Sequence, residues 1–267
     1  MIRRVLLAAI LAGIAAGVVM GVIQHVRLTP LILQAELFEL AEGSHDHGAA
    51  AAQSSTTAQP DAAAPAAGDA PVAPTAHDHS AMGHEAATGE HVHDANAWGP
   101  QDGLERTFYT TLTAILTAAG FALLLTGISF LAGIPITRNN GLIWGLCGFV
   151  SVSLAPAIGL PPELPGMPAA GLVARQAWWI GTIVCTGFAI WLTVARLQWF
   201  KYLGAIALAL LPHVFGAPHP PDQTTSVPAG LAAEFATASL GANLLMWLLI
   251  GLFLSLTLSA HEEAVTS

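Results

Sequence analysis

Charge is what this chain has least of: 9% of its 267 residues are Asp, Glu, Lys or Arg, against about 25% in an ordinary soluble domain. Eight basic and 17 acidic residues leave a formal charge of -9, with no basic patch or stripe, which excludes a nucleic-acid-binding surface. Cysteine is nearly absent. Cys147 and Cys185 both lie in apolar runs, so the sequence offers no disulfide framework and no Cys-x-x-Cys metal site, only buried thiols. The Gly-x4-Gly-Lys-Ser/Thr phosphate loop is missing, and so are His-Glu-x-x-His and Gly-x-Ser-x-Gly. The chain is therefore read as a non-enzyme with no catalytic residues and no prosthetic group.

Apolar residues fill the gap left by charge, at 54% of the sequence. A spanning helix takes about 20 mainly apolar residues. Six segments approach that length: Val5–Ile23, Thr107–Leu131, Gly141–Leu160, Ala177–Ala195, Tyr202–Ala217 and Ala238–Ala260. The fifth is short and interrupted by Pro212 and His213. Backbone polar groups must be paired inside lipid, so these runs are expected as helices. The predicted fold is thus all-α, a single polytopic membrane bundle of six spans over 1–267. The first run resembles a signal peptide, but it is long, lacks a clear small-x-small cleavage site and continues through Leu28–Leu33, so it is expected to remain as a span. Positive charge sets the orientation. Arg3, Arg4, Arg138, Arg196 and Lys201 favour cytoplasmic termini in a bacterial inner membrane, with the 25–106 segment outside.

Most of the acids fall in the first of the expected outer loops, and seven of the 11 histidines lie in its 41–97 part. Residues 41–97 are rich in Ala, Gly, Pro, Ser, Thr, Asp and His, a composition that cannot offset its own ordering entropy and is expected to be disordered. His45, His47, His77, His79, His84, His91 and His93 recur there as His-x-His groups beside aspartates. Imidazole with nearby carboxylate binds transition metals, so the loop is read as a weak, multi-site metal collector that does not choose among metals. A solvated linker or pH-sensitive tail is the plainer reading of the same composition.

The three expected outer loops end alike, at Pro100-Gln-Asp-Gly103-Leu104, Pro168-Ala-Ala-Gly171-Leu172 and Pro228-Ala-Gly230-Leu231. The helices arriving at them are expected to finish near Pro30, Pro156 and Pro212, which suggests three parallel helical-hairpin repeats. Proline and glycine also punctuate any loop-to-helix junction. Ionisable groups near a membrane face are costly unless paired or wetted. Glu36, Glu163, His213 and His219 are the candidate metal ligands of a mouth or pathway, with Pro212 expected to free a carbonyl of the helix ladder that His213 can join in binding a cation. Asn243 is expected to hydrogen-bond between helices.

Several strings resemble the CbtA family of proposed cobalt-transporter subunits: Pro30-Leu-Ile-Leu-Gln-Ala-Glu36, Asp102-Gly-Leu-Glu-Arg106, Ala155-Pro-Ala-Ile-Gly-Leu-Pro-Pro-Glu-Leu-Pro-Gly166, Arg175-Gln-Ala-Trp-Trp179 and Leu211-Pro-His-Val-Phe-Gly-Ala-Pro218. The resemblance implies a multi-span protein taking up cobalt for cobalamin synthesis, beside a small, single-span, His-containing partner subunit. The expected cargo is cobalt(II), with nickel and zinc as alternatives. A non-transporting metal scaffold or sensor, and an intramembrane enzyme using Glu163 and His213, are the rival functions.

Overall fold

A computed structural model describes residues 2–40, 100–101, 103–194 and 200–266. The described residues are overwhelmingly helical, and no strand occurs among them. Helix α1 runs Arg3–Leu40, α2 Leu104–Ala132, α3 Gly141–Ala157, α4 Leu172–Val194, α5 Lys201–Phe215 and α6 Ala229–Thr266. By length and composition α1, α2, α4 and the Ala229–Ser259 part of α6 can each cross a membrane, whereas α3 and α5 are shorter apolar helices. Large apolar side chains face outward along the helices, Leu11, Val22, Leu116 and Ile206 among them. Such a surface is stable only against lipid or other apolar groups. The Glu42–Ala97 segment, with all seven collector histidines, lies outside the described residues.

Small residues set the packing. Ala9, Ala12 and Ala16 of α1 are buried, as are Ala114, Ala118 and Ala122 of α2. Gly13, Gly17 and Gly21 follow a four-residue spacing on α1, and a side chain on any of them would run into Ala119, Ile115 or Thr111. Lipid tails are as apolar as leucine, so helices in membranes associate by close van der Waals contact, which small residues permit. Gly141 and Gly145 of α3 similarly meet the backbone of α6 near Gly251 and Trp247. Trp247 is buried, stacks on Phe121 at 4.6 Å between centroids, and donates its indole N–H to Ser153 Oγ at 3.3 Å. It therefore ties α6 to both α2 and α3.

The pairings are α1 with α2, α3 with α6, and α4 with α5, while α6 also lies along α1. Consecutive helices α3 and α4 meet over the Val150–Ala157 part of α3. The threefold similarity is consequently one of local features and not of three identically packed hairpins.

Proline shapes two of those features. Helix α1 does not finish near Pro30, as its sequence suggests, but widens into a π-turn over Gln24–Leu28 and continues to Leu40. Thr29 donates its backbone N–H, and its hydroxyl at 3.1 Å, to the Gln24 carbonyl. Helix α3 repeats the device: a π-turn covers Val150–Leu154, two residues before Pro156, and Ala155 N–H reaches the Val150 carbonyl. A proline cannot donate and its ring crowds the carbonyl four residues back; a wider turn just before it relieves the clash without ending the helix. Helix α2 stops at Gly133, whose φ of 67° suits glycine, with its N–H bonded to Phe130 and Ser129 carbonyls.

Candidate functional site

The ends of α1, α3 and α5 and the starts of α2, α4 and α6 share one end of the bundle, here the loop end. The 158–171 connection is packed there: Leu164 and Val227 are buried in the core cluster, and Thr225 Oγ1 donates to the Gly166 carbonyl at 3.2 Å. Gly166 has φ 77° and its Cα face lies beside Glu39 and Val227, so this Pro-Pro-Glu-Leu-Pro-Gly string closes over the end of α1.

Two carboxylates expected to meet metal are held by arginine. Glu36 accepts from Arg106 at 2.6 and 3.4 Å, a two-pronged pair joining the end of α1 to the first turn of α2. Glu163 accepts from Arg175 Nη2 at 3.0 Å, joining the 158–171 connection to α4. Both pairs are partly exposed. Each acid lies six or seven residues after the proline that follows a π-turn, and each arginine three or four after a glycine, Gly103 or Gly171.

His213 is half-buried in α5 and meets the Trp178 ring edge-on at 5.8 Å between centroids. The Pro212 carbonyl accepts from Trp178 Nε1 at 3.2 Å and from Gly216 N–H at 3.1 Å. His219 is exposed in the connection after α5, near Asp222, whose carboxylate accepts Thr224 N–H at 2.9 Å. That hydrogen bond holds the Asp222 carboxyl below its ordinary 3.8. The four mouth candidates thus have separate surroundings, and no group of three or more His, Cys, Asp or Glu able to hold a metal occurs among the described residues.

What does converge is a set of neutral polar groups. A cavity of about 340 Å³ lies between the π-turn of α1, the first turns of α2 and the loop-end half of α6. Its lining includes Gln24, Thr29, Arg106, Thr110, Ser239 and Asn243, together with Met20, Leu28, Ile32 and Phe235. A second cavity of about 310 Å³ shares Thr29, Arg106 and Thr110 and adds His25 and Thr107. His25 Nδ1 lies 3.4 Å from Thr107 Oγ1. The widened turn thus sends Gln24 toward one cavity and His25 toward the other. Gln24 Oε1 and Ser239 Oγ are buried and make no hydrogen bond within the protein. Asn243 does not bridge helices as its sequence position suggests; its Nδ2 donates to the Ser239 carbonyl one turn back, at 2.9 Å. Gln24, Thr110 and Ser239 are residues that sequence reasoning passed over. The available signals were the Gln24-His25 doublet just before Pro30 and the one-turn spacing of Ser239 and Asn243.

Fold and surface define a helical membrane protein with a cavity of mixed polar and apolar lining at its loop end. The chain belongs to the CbtA family, whose model, described as "Probable cobalt transporter subunit (CbtA)", matches residues 2–259. No curated protein and no solved structure matches it.

Proposed function

We propose that this protein is the membrane subunit of a divalent transition-metal importer, with cobalt(II) destined for cobalamin synthesis as its main cargo and nickel or zinc as weaker ones. The observation that carries this reading is the family match over residues 2–259, and the chamber at the loop end supports it. The loop end faces the periplasm or cell exterior and the termini face the cytoplasm, in keeping with the distribution of Arg and Lys. Histidines of the 41–97 segment raise the metal concentration at the loop end by many weak contacts. They serve as collectors, and a small, single-span, His-containing partner completes the working assembly.

Glu36 and Glu163 act in this scheme as carboxylates already neutralised by arginine, so they shape the mouth more than they hold the ion. His213 and His219 stand at its rim as exchangeable ligands. Uptake of radiolabelled cobalt into vesicles reconstituted with the protein and its partner tests the reading. Accumulation above empty vesicles is expected, and its absence would sink the proposal. Deleting 41–97 should leave uptake at high metal concentration while raising the concentration needed for half-maximal rate; complete loss at every concentration would instead favour a metal-presenting scaffold.

A further inference from the structure

We infer that the chamber lined by Gln24, Thr110, Ser239 and Asn243 binds the divalent cation as its hydrated ion, through hydrogen bonds from the metal's own water ligands to these neutral oxygens. The inference rests on the transport reading and names the site that reading requires.

Three observations carry it. The first is a pair of unmet acceptors. Ser239 is only 6% exposed, and its hydroxyl oxygen and Gln24 Oε1 have no partner in the protein. A buried polar atom left unpaired costs about 1–3 kcal/mol, so both atoms call for a donor inside the chamber. Metal-bound waters are strongly polarised donors and suit that need.

The second is size. At roughly 30 Å³ per water, about 340 Å³ accommodates on the order of ten waters, enough for a six-coordinate aqua ion with a few more. A stripped ion would leave most of that space empty. The donors are also wrong for a stripped transition metal, since the lining sets amide and hydroxyl groups beside Met20, Leu28, Ile32 and Phe235 and holds no carboxylate, thiol or imidazole.

The third is position and charge. About twenty residues of α1 counted from Val5 end at Gln24, which sets the chamber at the loop-end edge of the apolar layer, where keeping a hydration shell is least costly. Arg106 lines the chamber, but Glu36 grips its guanidinium with two hydrogen bonds, so the pair presents no net charge to an arriving cation.

Hexaamminecobalt(III) is the discriminating probe. Its six ammonia ligands do not exchange, so neither imidazole nor carboxylate can bind its metal directly, yet its N–H groups donate as aqua ligands do. Full-length protein in lipid nanodiscs should bind the complex, and the complex should compete with cobalt(II) uptake in reconstituted vesicles. Gln24→Met keeps the side chain's length and Ser239→Ala adds no bulk; each removes one acceptor and should weaken that binding about tenfold. Thermal unfolding identifies any variant that fails to fold, and the other then decides. Equal binding by wild type and both variants, or none by wild type, overturns the site. Cobalt uptake without hexaammine binding or competition rejects the site and leaves the transport reading intact. Binding that the variants weaken, with no uptake by wild type, keeps the site and rejects transport.

Discussion

Replacing Gly17 by alanine tests whether the α1–α2 contact depends on the absence of side chains. A methyl group there would lie 2.9 Å from the Ala114 carbonyl oxygen and the Ile115 nitrogen, and nearer still to Ile115 Cα. Carbon atoms rest at about 3.5–4.0 Å, so the helices must part locally by roughly 1 Å. A gap of that size forfeits between a quarter and a half of each contact, worth about 0.1–0.2 kcal/mol apiece. For roughly thirty atom pairs around the contact the loss comes to about 2 kcal/mol, within the ~1–3 kcal/mol range for overpacked cores. Gly120 of α2 supplies the control, because a side chain there meets nothing within 4 Å. Gly120→Ala should stay within about 0.5 kcal/mol of wild type. Unfolding free energies from reversible denaturant titration in bicelles, or from steric trapping, give the comparison. If Gly17→Ala is as neutral as Gly120→Ala, the close glycine contact is not what holds α1 to α2.

Truncating Trp247 to alanine removes the stack on Phe121 and the bond to Ser153, and should cost about 3–5 kcal/mol by the same titration. A double-mutant cycle on Glu36→Gln and Arg106→Met should return a coupling of about 1 kcal/mol, kept small because the side chains are 35% and 27% exposed. Pro30→Ala restores a backbone donor and removes the cause of the π-turn; slower amide hydrogen exchange around residues 26–31 is expected, together with weaker hexaamminecobalt(III) binding as Gln24 turns away from the chamber.

The helical membrane class was legible because it depends on composition: a chain with 9% charged residues and long apolar runs has few other ways to satisfy its backbone. The paired carboxylates were half legible. Glu36 and Glu163 stand out as acids near apolar runs, but their partners depend on which helices come together, and Arg106 is 70 residues from Glu36. The chamber was hidden for a different reason. Gln24, Thr110 and Ser239 are individually bland residues, and only the packing of α1, α2 and α6 leaves two of their oxygens without donors. Prolines misled locally: Pro30 reads as a helix end, yet the π-turn before it absorbs the clash and α1 continues to Leu40.

That same device explains why the three proline-bearing units are not equivalent. In the first two, a π-turn precedes the proline, an acid follows by six or seven residues, and an arginine in the next helix holds it. In the third, Pro212 sits within α5, its carbonyl is taken by Trp178, and Asp222 bonds to Thr224 N–H. The chamber opens beside the first unit, where the widened turn faces α6; beside the second, Trp247 fills the space against Gly148 and bonds to Ser153. A repeated backbone feature therefore has two outcomes, set by what α6 presents to it. Ser239 and Asn243 leave a polar hollow against the first turn, while Trp247, two helical turns beyond Ser239, closes the second with an aromatic ring. The specificity of the loop end thus resides in α6 as much as in the prolines that mark the repeat.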